Sequence, residues 1–144
     1  MNAAHLRLLE TQRKNRGSAG GIVTNANCAA IVAVMALAPL HEAFGIRRLF
    51  IATMQAVSGA GYPGVPSLDI LGNVIPNIGN GGEEAQVAWD PRTMLGKLNN
   101  KKIDLADLIF SAHTNRVAVI DGHTVFRCVE LERTADHETA DATT

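Results

Sequence analysis

The feature that most constrains the fold is an unbroken apolar run from Ala29 to Leu40, placed directly after Asn27 and Cys28. Asparagine is a favoured helix N-cap, and alanine, leucine and methionine are good helix formers, so the run predicts a helix that begins after Asn27. Pro39 cannot donate a backbone hydrogen bond and is expected to kink or end this helix, with Gly45 as a later stop. The run is too short to span a bilayer, which favours a soluble protein.

Composition narrows the possible partners and the cellular compartment. The 144 residues suit one domain, and 13 basic residues nearly balance 14 acidic ones, so neither nucleic acid nor an anionic membrane is indicated. A small molecule or another protein is the expected partner. Cys28 and Cys128 are too few for a disulfide framework, and no cysteine or histidine spacing suggests a metal site. Because the first residues do not resemble a secretory signal, the expected location is the cytoplasm.

The rest of the pattern predicts a fold of the α+β or mixed α/β class. Helices are expected at residues 3–14 and 84–98, with Trp89 in the core, and residues 58–66 form a glycine and proline loop. The predicted strands are residues 22–24, a strand from Ile46, residues 108–120 and residues 123–132. A turn at Asp121 and Gly122 is expected to join the last two strands as an antiparallel hairpin. The polar residues 133–144 are expected to be a disordered tail.

Cys28 has two interpretations on local grounds. At the first turn of a helix, a thiol meets unsatisfied backbone N–H groups and the positive end of the helix dipole, which favour the thiolate form. Such a thiolate could act as a nucleophile. Free cysteine is also among the most buried residue types, so Cys28 could equally be a small core residue.

Other residues could support chemistry, and each also has a plain structural interpretation. Arg116 could clamp a carboxylate through its planar guanidinium, and His123 could serve as acid and base. Both could instead be exposed residues of a strand and a turn. Gln55 could position a carbonyl group or simply leave the sheet, and Glu83 could bind a ligand or favour a helix N-terminus.

Four segments, taken in order, resemble the aspartate-semialdehyde dehydrogenases of archaea and fungi, over nearly all of residues 2–131. "IVTNANCAAI" is similar to the family stretch IVTNPNCST, which carries the catalytic cysteine, and "MQAVSGAGYPGVPSLDILGNVIPNIG" is close to QAISGAGYPGVPSMDILDNVIPYIG. "GGEEAQVAWD" is similar to GGEEEKIEWE, and "SAHTNRVAVIDGHT" to SAHCNRVPVIDGHT. Four ordered motifs of this length are far more specific than one short pattern.

The resemblance implies a reaction and a role for each matching residue. Cys28 would attack the acyl phosphate of L-aspartyl 4-phosphate, or the aldehyde in the reverse direction, by way of a thiohemiacetal and an acyl thioester. His123 would move the protons, and Gln55 would orient the carbonyl. The implied substrate-binding residues are Arg116 for the α-carboxylate, Glu83 for the amino group, and Asn27.

The resemblance also implies a cofactor, a pathway and an assembly. Ser58, Gly59, Ala60 and Gly61 would lie against the nicotinamide end of NADPH, and no metal is expected. The reaction would serve the synthesis of lysine, threonine and methionine. The family's dimers form largely through this domain, so a homodimer or homotetramer is expected.

The resemblance implies a domain organisation as well. Residues 1–132 would form the catalytic and dimerisation domain, a mixed sheet with helices packed on one face, followed by the tail at 133–144. The family's N-terminal nucleotide-binding (Rossmann) half has no counterpart in these residues, so the chain alone is expected to turn over little substrate.

Two alternatives remain at this point. Gln86 stands where the family has a phosphate-binding lysine, which favours a related reductase that acts on a thioester such as malonyl-CoA. The other alternative is an inactive domain that only dimerises or pairs with a separate cofactor domain.

Overall fold

The computed structural model describes residues 2–135. The predicted disordered tail at 133–144 therefore lies outside the described residues from position 136 onward. Arg133 is described, and its backbone N–H donates to the carbonyl oxygen of Phe44 at 3.1 Å. The chain is thus still hydrogen-bonded to the domain just beyond residue 132.

A four-stranded mixed sheet forms the centre of the fold. The strands, in chain order, are β1 (Ile46–Gln55), β2 (Val74–Pro76), β3 (Lys97–Asn99), β4 (Lys102–Asp104), β5 (Ile109–Val117) and β6 (Thr124–Leu131). The central sheet has the order β2-β5-β1-β6, while β3 and β4 form a separate two-stranded hairpin. β1 runs parallel to β5 and antiparallel to β6. This arrangement confirms the mixed sheet expected for the α+β class.

The helices are α1 (Leu8–Arg16), α2 (Cys28–Phe44), α3 (Ser67–Ile70) and α4 (Gly82–Met94). α2 begins where the sequence predicts and ends at Gly45, whose φ of +71° suits glycine. The expectation that Pro39 could end this helix is wrong. Met35, whose carbonyl loses its helical partner at Pro39, is 68% exposed, so water can satisfy that oxygen and the helix continues.

The helices pack on one face of the sheet, as expected. β1 directs Leu49, Ile51, Thr53 and Gln55 into the interior in strict alternation. The buried core cluster joins this face to α2 and α4, and its members are Ala29, Ala33, Leu37, Ile46, Leu49, Ile51, Val87 and Leu108. The opposite face of the sheet is open and carries exposed apolar side chains.

The predicted C-terminal hairpin is wrong. β5 and β6 are not neighbours, because β1 lies between them and pairs with both. The connection from β5 to β6 passes the carboxyl end of β1, where the carbonyls of Val119 and Ile120 accept hydrogen bonds from Val57 and Ser58. The turn at Asp121 and Gly122 therefore belongs to a crossover around the end of the central strand.

Three smaller expectations also differ from the structure. Residues 22–24 form no strand, since no other strand of residues 2–135 pairs with them. Trp89 is 55% exposed because Val87 and Pro91, one helical turn apart, are the α4 residues that face the core. α4 ends at Met94 and not near residue 98, because Gly96 turns the chain tightly against the backbone of Asp104 at the start of the β3-β4 hairpin.

Between residues 2 and 135, no helix combines the length and the apolar character that crossing a bilayer requires.

Candidate active site

Cys28 is the first residue of α2 and is exposed. The side-chain oxygen of Asn27 caps the helix by accepting hydrogen bonds from the N–H groups of Ala29 and Ala30 at 2.9 and 3.2 Å. Ala29 and Ala30 are fully buried, so the small core positions of this segment are the two alanines. The thiol itself sits at the open N-terminus of a 17-residue helix, which places a nucleophile at the positive end of the helix dipole.

His123 faces this thiol from the segment that precedes β6. Its Nε2 lies 3.4 Å from the Cys28 Sγ, although the two residues are 95 positions apart in the chain. An imidazole at this distance can hydrogen-bond with the sulfur and with a group bound between them. The crossover around β1 is what brings His123 here, because it carries the chain past the end of that strand.

Glu83 joins three elements beside the thiol. One of its oxygens, Oε1, accepts hydrogen bonds from the Gln55 amide and from the Asn27 amide, both at 2.9 Å. Gln55 is only 1% exposed and ends β1, so its amide is held in place by the strand and by Glu83. Glu83 lies in the first turn of α4 but contacts these amides, which is more than a helix-terminal charge would do.

Arg116 completes the polar cluster on β5. It lies directly opposite Gln55 in the parallel register and is 6% exposed. Within the described range 2–135, no carboxylate approaches its guanidinium within 4.0 Å. A nearly buried arginine without an ion-pair partner is suited to bind an anionic group of a ligand.

The glycine turn lies at the carboxyl end of β1. Residues Val57–Ala60 form a short 3-10 helix, and Ser58, Gly59, Ala60 and Gly61 are all exposed. A Cβ at Gly59 would lie 2.9 Å from Arg116 Nη1 and 2.9 Å from His123 Cε1. The turn therefore packs against both functional side chains, and its exposed backbone can border a flat ring bound beside them.

Two carboxylates hold the site together through contacts that the sequence did not predict. Asp90 Oδ2 accepts the backbone N–H of Asn27 at 2.6 Å, which fixes the turn before Cys28 to α4. Glu84 accepts the N–H and the hydroxyl of Thr114 at 3.0 and 2.6 Å, which fixes α4 to β5. The motif "GGEE" was a sequence signal for Glu84. Its contact with Thr114 could not be predicted, because it depends on where β5 lies in the sheet.

Hydrogen bonding keeps Glu84 ionised. Burial acts to raise the pKa of this carboxyl group, but the hydrogen bonds from Thr114 act in the opposite direction. The net pKa lies below the ordinary glutamate value.

Comparison with known proteins places this geometry in a family. The family model described as "Semialdehyde dehydrogenase, dimerisation domain" matches residues 37–144. The chain belongs to the semialdehyde dehydrogenase dimerisation-domain family. The match covers β1, the glycine turn, α4 and the strands that carry Arg116 and follow His123.

Relatives of this dimerisation domain extend the similarity over Cys28 as well. The chain is 53% identical over 142 residues to an aspartate-semialdehyde dehydrogenase of Archaeoglobus fulgidus, covering 99% of this chain and 40% of that protein. It is 44% identical over 139 residues to one of Schizosaccharomyces pombe, covering 94% of this chain and 38% of that protein. These relatives confirm the archaeal and fungal resemblance and do not favour the acyl-CoA alternative.

A solved structure has the same fold. The crystal structure of aspartate-semialdehyde dehydrogenase with NADP from Candida albicans superposes with a TM-score of 0.82 at 33% identity. The match covers 99% of this chain and 42% of that one. The dimerisation-domain chain thus spans about two fifths of the length of the proteins it resembles.

Proposed function

We propose that the chain supplies the catalytic and substrate-binding residues of an NADP-dependent aspartate-semialdehyde dehydrogenase. The reaction is the reductive dephosphorylation of L-aspartyl 4-phosphate to L-aspartate 4-semialdehyde. The observation that carries the proposal is the Cys28 Sγ, exposed at a helix N-terminus and 3.4 Å from His123 Nε2. Acyl transfer to sulfur needs a thiolate nucleophile and a proton carrier at this distance.

Cys28 and His123 perform the acyl transfer in this proposal. The Cys28 thiolate attacks the acyl carbon, the phosphate leaves with the electron pair of the C–O bond, and an acyl thioester forms on Sγ. After reduction to the thiohemiacetal, the C–S bond breaks and the aldehyde is released. A ring N–H of His123 donates a hydrogen bond to the oxygen of the reacting carbonyl, stabilises the negative charge that develops there on reduction, and releases it as the thiolate departs.

The polar residues beside Cys28, which are Asn27, Gln55, Glu83 and Arg116, account for recognition of an amino acid. Arg116, nearly buried, is proposed to pair with the α-carboxylate, and Glu83 to accept the ammonium group. The side-chain amides of Gln55 and Asn27 donate hydrogen bonds to Glu83. Because Asn27 precedes Cys28, a substrate held by Glu83 lies beside the start of α2 that carries Cys28. Gln86 is within 3.5 Å of the same Asn27 amide, at the position where the resemblance implies a phosphate-binding lysine.

The residues of the glycine turn fit a nicotinamide ring. Ser58, Gly59, Ala60 and Gly61 are exposed beside His123, and two of the four have no side chain. NADPH, when bound, supplies the hydride that reduces the thioester. The turn would hold the ring against the site, while Gly59 leaves the room that Arg116 and His123 occupy.

We propose residues 1–132 as the catalytic and dimerisation domain, and a homodimer or homotetramer as the assembly. The open face of the sheet supports self-association, because Phe50, Met54, Ile109 and Phe126 expose 45–60% of their surface there. We propose the cytoplasm as the location, since a reduced Cys28 is required, and lysine, threonine and methionine synthesis as the pathway.

A chimaera tests the function directly. Residues 1–144 would replace the matching 142-residue region of the Archaeoglobus fulgidus relative, to which they are 53% identical. The chimaera is expected to reduce NADP in the presence of L-aspartate 4-semialdehyde and phosphate. Cys28→Ser should lower kcat by more than about 1,000-fold, because the nucleophile is lost.

The matched control is Cys128→Ser, since Cys128 is the other exposed free cysteine. It should retain activity. Turnover that survives Cys28→Ser would contradict the proposal. The 144 residues alone are expected to turn over little substrate, and the same assay measures this.

A further inference from the structure

Ala56, the residue that follows β1, makes hydrogen bonds to two functional side chains through its backbone. Its N–H donates to His123 Nδ1 at 3.1 Å, and its carbonyl oxygen accepts from Arg116 Nη1 at 2.8 Å. The same oxygen also accepts the N–H of Gly59 at 3.1 Å. Ala56 is fully buried, so water does not compete for these groups.

The hydrogen bond to His123 determines which ring nitrogen carries the proton. A backbone N–H can only donate, so Nδ1 must accept and is unprotonated. In the neutral imidazole the proton is then on Nε2, which faces the Cys28 Sγ at 3.4 Å. His123 therefore points an N–H donor at the Cys28 sulfur, which suits its thiolate form, and at any carbonyl oxygen bound beside it.

The hydrogen bond from Arg116 to Ala56 anchors one end of the guanidinium. One N–H of Nη1 is occupied by Ala56, which leaves the other donors of the fork for a ligand. Gly59 packs against both side chains, because even a Cβ there would lie 2.9 Å from Nη1 and 2.9 Å from His123 Cε1. Both side chains therefore contact the backbone of the same turn at Ala56 and at Gly59.

We propose that the backbone of Ala56 is a positioning group that selects the Nε2-protonated form of His123 and orients Arg116 with its carbonyl. The proton donor and the carboxylate clamp are then set by one residue whose side chain is only a methyl group. The roles of His123 and Arg116 in turnover rest on the proposed function, whereas the tautomer and the two hydrogen bonds do not.

The test is nuclear magnetic resonance in mildly alkaline buffer, on the 144-residue chain labelled with ¹⁵N in its backbone and histidine rings. His123→Gln assigns the ring signals by their loss. We expect an unprotonated Nδ1, a protonated Nε2, and a scalar coupling between the Ala56 amide nitrogen and Nδ1 across the hydrogen bond. A protonated Nδ1 or an absent coupling would overturn the proposal, whatever the enzyme assay gives.

Two variants separate positioning from mere packing. Ala56→Pro removes the N–H while keeping the carbonyl, and the native φ of −63° is the one that proline adopts. Ala56→Gly keeps both backbone groups and removes only the methyl. The proline variant should give mixed protonation of the two ring nitrogens, whereas the glycine variant should keep the native tautomer.

The same tautomer in a folded Ala56→Pro variant would show that Ala56 does not select it. If the proline variant does not fold, the coupling in the native chain decides the question. In the chimaera, the proline variant is expected to lower kcat more than it raises KM, because the proton donor is misdirected.

Discussion

The strand β1 takes part in two regions that differ in how tightly they are held. At its carboxyl end, Gln55, Ala56 and Arg116 are 1%, 0% and 6% exposed and are fixed by hydrogen bonds. On the open face of the same strand, Phe50 and Met54 are 45% and 47% exposed, and no helix within residues 2–135 covers them. The carboxyl end is held by hydrogen bonds made within the chain, whereas the open face leaves its apolar side chains uncovered by the described residues.

This difference predicts where the chain tolerates substitution. A change at the carboxyl end of β1 should damage chemistry even when the fold survives, because the reacting groups need a fixed geometry. A change on the open face should leave the isolated fold intact and affect assembly.

Gly59→Ala should have the largest effect at the carboxyl end. The new Cβ would lie within 2.9 Å of both Arg116 Nη1 and His123 Cε1, so both side chains must move. A displacement of these side chains by about 1 Å lowers kcat/KM by about 100-fold. The measurement is steady-state kinetics of the chimaera.

Gly82→Ala is the matched control for Gly59→Ala. Gly82 begins α4 beside Glu83, and a Cβ there would meet no atom within 4 Å. It should retain activity near that of the parent chimaera. Equal losses in both variants would mean that the clash at Gly59 is not the cause.

Arg116→Lys should have the next largest effect. Lysine keeps the charge but cannot both donate to Ala56 and present a planar fork to a carboxylate. Losing one charged hydrogen bond costs about 2 kcal/mol, or roughly 30-fold in kcat/KM. The loss should be mainly in KM for the semialdehyde, and an unchanged KM would argue against carboxylate binding by Arg116.

The sequence predicts local features of this molecule well and its long-range pairing poorly. α2 follows from the Asn27 cap and the Gly45 stop, which are signals a few residues from the helix ends. The false hairpin arose because β1, more than 50 residues earlier in the chain, lies between β5 and β6. Hairpin signals report only on adjacent segments.

The site divides in the same way. The family resemblance selected Cys28, His123, Gln55, Glu83 and Arg116, and the structure brings them to one end of β1. The role of Ala56 could not be predicted, since its contacts involve only backbone atoms, which every residue has. Their partners depend on the crossover that follows β5.

Phe126→Glu should prevent self-association through the open face of the sheet without unfolding the domain. Phe126 is 53% exposed on β6, opposite Ala52, so a charge there should prevent burial against a second copy. We expect a monomer by sedimentation equilibrium and a change in unfolding free energy below about 0.5 kcal/mol. Trp89→Glu is the control, because Trp89 is 55% exposed but lies on α4. A dimer that persists in Phe126→Glu would exclude this face as the interface.

The smallest effect is expected at the opposite end of β1, where His41 Nδ1 accepts the N–H of Ile46 at 3.2 Å. Burial lowers the pKa of His41 from 6.5, only partly opposed by Glu132. Because the unfolded chain binds this proton more readily, the stabilisation is present above pH 6.5 and is lost as the pH falls through the lower folded value.

Denaturant unfolding at several pH values measures this contribution. We expect the free energy of unfolding to fall by less than about 1 kcal/mol between about pH 7.5 and pH 5.5, since His41 is only partly buried. His41→Gln should flatten this part of the profile, because glutamine does not titrate. Its amide oxygen can still accept the Ile46 N–H, so the hydrogen bond is kept. A slope that is unchanged in His41→Gln would assign the pH dependence to other groups.

The central claim is that Cys28 forms the covalent intermediate, and peptide mass spectrometry tests it most directly. The chimaera would be incubated with L-aspartate 4-semialdehyde and NADP without phosphate, so that the acyl thioester accumulates, then digested and analysed. The account predicts an aspartyl acyl group on the peptide that contains Cys28, absent in Cys28→Ser and unaffected in Cys128→Ser. An acyl group on Cys128, or turnover with phosphate but no adduct on Cys28, would contradict it.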